Sequence, residues 1–159
     1  MKNNDYRFFY YEPKHFEELF KLVMAFNYEH NRDKYSKSDT DKAKIEERQY
    51  LKENSSSEYY RYYICATGNE FIGHVWFGQQ DSDRGKGFIE ELYVKPEYRK
   101  KGIATSLMKE AIRWITNKNC SSIEVDVKSH NGDAIRVCQI MGFSEQKPKW
   151  TNFTLDLIK

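Results

Sequence analysis

The chain has 159 residues, 39% of them hydrophobic and 31% charged, which is enough for one domain with a proper core. Its 26 basic and 24 acidic residues leave a net charge of +2, so no basic excess indicates nucleic-acid binding. No apolar run reaches the length of a membrane span, and the N-terminus lacks the apolar region of a signal peptide. We therefore expect residues 1–159 to form a single cytoplasmic domain without membrane or nucleic-acid partners.

The first third of the chain predicts one strand and two helices. Residues 6–11 are typical of a strand, and an apolar stripe with helical spacing then continues to about residue 30. A polar loop is expected at 31–38, after which Ser38 or Thr40 would cap a second helix. The apolar stripe of this second helix is thin, so we expect the helix to lie at the surface.

The middle of the chain predicts an antiparallel meander. Residues 59–67 and 71–78 favour strands and flank a Gly-Asn hairpin turn at 68–69. A polar connection leads into a third strand at 88–94. Helical apolar spacing then predicts a helix over 102–116.

The C-terminal part predicts further strands around a short helix. Residues 123–127 alternate apolar and charged side chains, which is typical of a half-covered strand. Asn131 is a suitable cap for a short helix that Gly142 would end, and two closing strands are expected at 143–146 and 153–157. The whole pattern predicts an α/β fold with a mixed, mostly antiparallel sheet of six to seven strands and helices on both faces.

The cysteines and histidines indicate neither disulfides nor a metal. The three cysteines are odd in number and lack Cys-x-x-Cys spacing, which favours reduced thiols in the cytoplasm. The four histidines show no metal-ligand spacing with one another or with the cysteines. We therefore expect no metal site.

The turn between the strand at 88–94 and the following helix has the chemistry of an anion site. Gly102 can adopt a positive φ at little cost, and a large side chain at 102 or 104 would block approach to the main chain. The first N–H groups of a helix have no intrahelical partner and lie at the positive end of its dipole. Together with the three cations at 99–101 they suit a phosphate or pyrophosphate, although a glycine and basic residues are also common in ordinary loops.

Two motifs in the chain resemble the GCN5-related N-acetyltransferase family. The first is Arg-x-x-Gly-x-Ala at 99–104, after a strand that ends Leu-Tyr-Val, and the second is Asn-x-x-Ala-Ile at 131–135 followed by Met-Gly-Phe at 141–143. The chain lacks the Gly-Lys-Ser/Thr of a P-loop and the Gly-x-Gly-x-x-Gly of a dinucleotide fold. The resemblance is clear over 88–143, and it implies the acyl-CoA N-acyltransferase fold with acetyl-CoA as cofactor.

The same resemblance assigns cofactor-binding roles to two parts of the chain. Main-chain N–H groups at 100–105 would hold the pyrophosphate with Arg99 beside it, and the backbone of 92–94 would bind the pantetheine arm and polarise the thioester carbonyl. Asn131 would contact the cofactor or serve only as a helix cap, and the two roles are compatible. The implied cofactor-binding residues are Leu92, Tyr93, Val94, Arg99, Lys100, Lys101, Gly102, Ile103, Ala104, Thr105 and Asn131.

Glu90 and Glu91 are acidic residues in a strand that we expect to be central. Neighbours in a strand point to opposite faces, and a buried carboxylate is costly unless it is paired or functional. In similar enzymes that act on polyamines and related amines, a glutamate at the position of Glu90 is the general base, often through water. The resemblance implies that role for Glu90, with a structural ion pair or a place at the sheet end as the alternative. Glu91 has the same interpretations and is also a candidate for substrate binding.

Cys138 stands where the family has a tyrosine that protonates the leaving CoA thiolate. A thiol is able to donate a proton, so Cys138 is a candidate catalytic acid. Alternatively it is a small residue packed in its helix. In that case solvent or another tyrosine, such as Tyr93, would supply the proton.

Substrate specificity is expected from the first two helices, their connection and the strand that holds Trp76. An aromatic, acidic pocket suited to a cation would be formed by Tyr28, Glu29, His30, Trp76 and Phe77. The alternative is that Tyr28 and Phe77 belong to the core and that Glu29 is a solvated helix residue.

The resemblance therefore implies an enzyme that transfers acetyl from acetyl-CoA to a primary amine within a ternary complex. The acidic and aromatic residues favour a small cationic amine, such as a polyamine or an aminoglycoside, over a protein N-terminus or a lysine side chain. Loss of the family's tyrosine at 138 leaves a non-catalytic acyl-CoA sensor as an alternative, and a turn that binds ATP is a third. The aromatic-rich strands would suit a homodimer.

Overall fold

The computed structural model describes residues 5–30, 40–55 and 57–146. The loop expected at 31–38, the capping side chain of Ser38 or Thr40 and the strand expected at 153–157 lie outside the described residues.

One sheet of five strands runs through the described part of the chain in the order β1-β2-β3-β4-β5. Its strands are β1 (Tyr6–Tyr10), β2 (Tyr60–Thr67), β3 (Glu70–Gln79), β4 (Lys86–Val94) and β5 (Ser122–Val125). Strands β1 to β4 pair antiparallel in sequence order, and β5 runs parallel to β4. The predicted mixed, mostly antiparallel sheet is confirmed, with five strands within the described residues where six to seven were expected for the chain.

Helices cover both faces of the sheet, as predicted. They are α1 (Phe16–His30), α2 (Thr40–Asn54), α3 (Ile103–Asn117) and α4 (Gly132–Ile140). Val75 and Phe77 of β3 face the main core, which contains α3, whereas Trp76 between them faces a second core that contains Leu19 of α1 and Leu51 of α2. Because successive strand residues alternate between faces, β3 is apolar on both sides and lies in the middle of the domain. Within the described residues, no helix has the length and apolar character needed to cross a membrane.

The prediction of a strand at 143–146 is wrong, because these residues follow the end of α4 without forming one. Gly142 has a φ of 87° and donates to the carbonyl of Gln139, and Phe143 donates to the carbonyl of Cys138. This pair of bonds is the Schellman motif that ends helices, in which an apolar residue packs back on the last turn. Phe143 accordingly packs against the main core, so its apolar character serves the helix end.

A bulge interrupts the pairing between β3 and β4. Tyr93 pairs with His74, but the next pair is Glu90 with Trp76, so β4 has one extra residue at this place. Glu91 lies in the bulge with a φ of 50°. An extra residue in one strand resets the alternation of side chains between the two faces.

The bulge corrects our expectation that Glu90 and Glu91 point to opposite faces. Glu90 lies directly opposite Trp76, and Glu91 accepts a hydrogen bond from the hydroxyl of Tyr62, whose own strand partner is Trp76. Both carboxylates are therefore on the face of the sheet that α1 and α2 cover.

The edge of β4 that faces β5 is only partly paired. The parallel pairing runs from Lys86 opposite Ser122 to Ile89 opposite Val125 and stops there. Within the described residues, the following stretch of β4, residues 90–94, has no strand partner on that edge. Unpaired backbone groups of a strand edge are available to a ligand that presents amide groups of its own.

Candidate active site

The turn from β4 into α3 presents main-chain N–H groups. Lys100 has a φ of 59° and Gly102 a φ of 80°, so the predicted positive φ of Gly102 is confirmed. No side chain caps α3, and the first helical hydrogen bond is donated by Ser106 to the carbonyl of Gly102. The N–H groups at 103–105 precede that bond and have no partner within the helix. Such a series of N–H groups at a helix start forms a concave site for an anion.

A cavity of about 530 Å³ lies beside this turn. Its walls are the unpaired end of β4, the turn itself and one side of α4. A Cβ added to Gly102 would meet no atom within 4 Å, so the glycine leaves open space in front of the main chain. The predicted cofactor-binding residues that line the cavity are Leu92, Tyr93, Val94, Arg99, Lys100, Gly102, Ile103, Ala104, Thr105 and Asn131.

Lys101 is the predicted cofactor-binding residue that does not line the cavity. Its Nζ donates to the carbonyl of Glu97 at 2.9 Å and lies 5.1 Å from the centre of the Tyr98 ring. The side chain of Lys101 therefore folds back over the preceding turn, and the positive charge beside the cavity comes from other residues.

Helix α4 contributes a cavity wall of which only Asn131 was predicted from the sequence. Asn131 caps this helix, its Oδ1 accepting from the N–H of Ala134 at 3.2 Å, and it also lines the cavity. Arg136 adds a cation and Ile140, 63% exposed, adds apolar surface. Helical spacing places the side chains of Asp133, Arg136 and Ile140 on one face of α4. This spacing is the feature of the sequence from which their place in the cavity wall could have been predicted.

Arg99 and Glu29 are paired, although the sequence analysis assigned them to different ligands. The Nη2 atom of Arg99 lies 2.6 and 2.8 Å from the two carboxylate oxygens of Glu29, and its Nε donates to the carbonyl of Val94 at 2.8 Å. Both side chains are about one third exposed at the cavity wall. The pair links the end of α1 to the start of the turn.

Tyr93 is a buried tyrosine in the cavity wall. It is 5% exposed, and burial raises the pKa of its hydroxyl, with a further increase from the negative charge of Glu29. A tyrosine hydroxyl is protonated at neutral pH, so Tyr93 has a proton to donate, although the raised pKa makes it a weaker acid than an ordinary tyrosine.

Cys138 is not among the residues that line the cavity. It is half-buried and packs against the main core, and burial raises the pKa of its thiol. These contacts match the packing interpretation of Cys138.

The predicted substrate-binding residues do not form one pocket. Trp76 is 7% exposed and packs among the rings of aromatic neighbours, which makes it a core residue. Tyr28 lies on the exposed surface of α1, Glu29 is at the cavity wall, and Glu91 is bonded to Tyr62. Of the remaining two, His30 lines the cavity, whereas Phe77 is buried on the opposite face of the sheet.

Glu90 has the environment of a proton acceptor. Its side chain reaches solvent, yet loss of hydration raises the pKa of its carboxyl, and the charges of Glu91 and Asp126 raise this pKa further. At Tyr50 of α2 the pKa of the hydroxyl is also raised, mainly by burial and further by the negative charges of Glu91 and Glu90. A carboxyl with a raised pKa is better matched to proton transfer near neutral pH than an ordinary one.

Comparison with known proteins identifies the class of protein. The model of the Acetyltransferase (GNAT) family matches residues 24–143. The chain belongs to this family of acetyltransferases, as its two motifs predicted. Within the described residues, no group of three or more His, Cys, Asp or Glu side chains is arranged to hold a metal ion.

Two curated relatives match parts of the chain. Aminoglycoside N(6')-acetyltransferase type 1 of Salmonella typhimurium is 36% identical over 58 residues, which are 36% of this chain and 40% of the relative. Thialysine N-epsilon-acetyltransferase of Mus musculus is 27% identical over 88 residues, which are 54% of this chain and 48% of the relative. The matches thus span less than half the length of each relative.

A solved structure matches the chain along its length. Aminoglycoside N-acetyltransferase AAC(6')-Iy in complex with CoA has a TM-score of 0.72, with 99% of this chain and 98% of that chain covered at 20% identity. This similarity establishes the fold.

Proposed function

We propose that the chain transfers acetyl from acetyl-CoA to a primary amine of a small cationic molecule. The observation that carries the proposal is the cavity in which the uncapped start of α3, the open face of Gly102 and the unpaired end of β4 lie together. A diphosphate requires closely spaced N–H donors, and an amide-containing arm requires a free strand edge. The cavity provides both, so its residues fit CoA.

In this proposal the main chain holds the coenzyme. The N–H groups at 103–105 bind the diphosphate, and the side chains of Lys100 and Arg136 add positive charge. Backbone groups at 92–94 bind the pantetheine arm along the edge of β4. When bound, acetyl-CoA supplies an acetyl group already activated as a thioester.

Side chains move the protons. The carboxylate of Glu90 accepts a proton from the substrate ammonium, directly or through a water, so that the amine nitrogen becomes nucleophilic. The hydroxyl of Tyr93 donates a proton to the departing CoA thiolate. We assign this role to Tyr93 rather than to Cys138, because Tyr93 lines the cavity whereas Cys138 packs against the main core. Transfer is direct, within a complex that holds both substrates.

The acceptor face favours a cation. Glu90 and Glu91 both lie on the face of the sheet that α1 and α2 cover, and the exposed ring of Tyr50 lies near them. Two neighbouring carboxylates attract an ammonium group, and aromatic faces stabilise it further. The proposed substrates are therefore aminoglycosides, polyamines or similar amines.

We further propose that the chain forms a single domain, acts in the cytoplasm and assembles as a homodimer.

Release of CoA thiol, measured across a panel of amines, tests this function. The panel contains sisomicin, spermidine, thialysine and a peptide with a free N-terminus, each supplied with acetyl-CoA. We expect turnover with at least one of the first three, and loss of that turnover in Glu90→Gln. Turnover with the peptide alone would contradict the small-molecule assignment. CoA binding without turnover of any amine would favour a non-catalytic sensor, which the absence of the family's tyrosine at 138 also suggests.

A further inference from the structure

His74 is a buried histidine that the proposed chemistry leaves unused. It lies in β3, it is 0% exposed, and neither of its ring nitrogens has a hydrogen-bond partner among the described residues. A buried polar group without a partner is costly, and native structures contain few of them. The position therefore requires a physical reason for a histidine.

Three aromatic rings and one carboxylate lie near the ring of His74. The rings of Phe26, Tyr62 and Tyr93 lie with their centres 5.9 to 6.2 Å from that of His74. The Nε2 atom of His74 lies 3.7 Å from Oε2 of Glu91. This distance is too long for a hydrogen bond, but inside a protein an N–H group that points at a carboxylate still attracts it electrostatically at this range.

Glu91 is thus approached by two groups at the same oxygen. Its Oε2 accepts from the hydroxyl of Tyr62 at 3.0 Å and faces Nε2 of His74. Glu91 also occupies the bulge with a φ of 50°, a left-handed backbone conformation that is unfavourable for a residue other than glycine. A residue in such a conformation keeps it only when its surroundings hold it there.

We propose that His74 is a positioning residue which, together with Tyr62, fixes the carboxylate of Glu91 as the anchor for the substrate ammonium. This inference rests on the proposed function and divides the work between two neighbouring carboxylates. Glu91 is held from the protein interior and binds the cation, while Glu90, whose side chain reaches solvent, takes the proton. The bulge in β4 is what brings both carboxylates to one face.

Nitrogen-15 NMR spectra of the histidine rings test the contact in the free protein, without any substrate. The His74 signals are assigned by their loss in His74→Gln. We expect a proton on Nε2, with a nitrogen chemical shift that changes in Glu91→Gln and stays unchanged in Glu90→Gln. A ring with a proton on Nδ1 and none on Nε2, or His74 signals that Glu91→Gln does not move, would overturn the proposal.

Steady-state kinetics test the consequence for the substrate, with sisomicin as the amine. His74→Phe is expected to raise KM for sisomicin about tenfold, as for loss of an interaction with a charged group, with a smaller change in kcat. Tyr62→Phe is expected to act in the same direction, and His74→Gln, which keeps an N–H donor, is expected to restore part of the loss. The dissociation constant for CoA, measured by calorimetry, serves as the control and is expected to stay unchanged.

The two experiments separate the failure of this inference from failure of the proposed function. A wild-type KM for sisomicin in His74→Phe, or an equal loss of CoA affinity, would overturn the positioning role. If wild-type protein acetylates no amine, the proposed function fails, and the NMR experiment alone decides whether His74 contacts Glu91. If His74→Phe does not fold, Tyr62→Phe and His74→Gln provide the kinetic comparison.

Discussion

The bulge in β4 and the turn that follows this strand form ligand sites in different ways. The turn at 99–105 offers main-chain N–H groups, whose positions depend on backbone angles at Lys100 and Gly102. The bulge at Glu90 and Glu91 offers side chains, whose positions depend on contacts with β2 and β3. A main-chain site tolerates most side-chain changes that keep the backbone angles, whereas a side-chain site is lost when a single functional group is removed.

The largest expected effect is at the bulge. Glu90→Gln removes the proton acceptor and is expected to lower kcat/KM for the amine on the order of 10²- to 10⁴-fold. The wild type is expected to lose activity as the pH falls through the raised pKa of Glu90, because the protonated carboxyl accepts no further proton. A pH profile of kcat/KM measures both effects, and the variant should lack this acidic limb.

Glu124→Gln is the matched control, since Glu124 is an exposed carboxylate on the neighbouring strand β5. It is expected to behave as wild type. Equal losses in the two variants would contradict a specific role for Glu90.

The next effect tests the main-chain site. Gly102→Glu is expected to weaken CoA binding by about ten- to a hundredfold. A residue other than glycine at a φ of 80° destabilises the turn by about 1–2 kcal/mol. The backbone is expected to change its angles to relieve this strain, which turns the N–H groups at 103–105 away from the diphosphate. The added carboxylate also repels the phosphates. Isothermal titration calorimetry with CoA measures the change.

Gly68→Glu controls for strain alone. Gly68 lies in the hairpin between β2 and β3 with a φ of 54°, and a Cβ there also meets no atom within 4 Å. Its substitution is expected to lower the melting temperature while leaving CoA affinity unchanged. A parallel loss of affinity in Gly68→Glu would show that Gly102 acts through stability.

A smaller effect is expected at Tyr93, whose side chain lines the cavity. Tyr93→Phe keeps the ring and removes the hydroxyl, and we expect kcat to fall about tenfold, because solvent takes over part of the proton transfer. Single-turnover kinetics at several pH values measure the change, with CoA affinity as the control. A wild-type kcat would exclude Tyr93 as the proton donor.

The smallest effect is expected at Cys138. Cys138→Ala is expected to change kcat by less than about twofold and to lower stability by about 1 kcal/mol, as for a residue that only packs. Thermal unfolding and steady-state kinetics on the same sample measure both quantities. A loss of kcat larger than that of Tyr93→Phe would restore Cys138 as the catalytic acid.

Features that depend on neighbouring residues in the sequence were predictable. The positive φ of Gly102, the capping of α4 by Asn131 and the order of strands and helices all follow from residue types at short range. The motif at 99–104 belongs to this group, because a turn into a helix is specified by the few residues that form it.

Features that depend on distant residues were not predictable from the pattern. The bulge at Glu91 arises from pairing with β3, and the Glu29–Arg99 pair joins residues separated by 70 positions. Phe143 has the apolar character of a strand residue, but its role is set by the end of α4. Tertiary contacts decided the bulge and the ion pair, whereas Phe143 was misassigned because an apolar residue fits both a strand and the contact that ends a helix.

A crystal structure of the chain with CoA tests the central claim most directly. The diphosphate oxygens are expected within about 2.7–3.2 Å of the main-chain nitrogens at 103–105, with the pantetheine arm along the free edge of β4. A diphosphate bound away from this turn, or held by side chains alone, would contradict the claim that the backbone of the β4–α3 turn forms the coenzyme site.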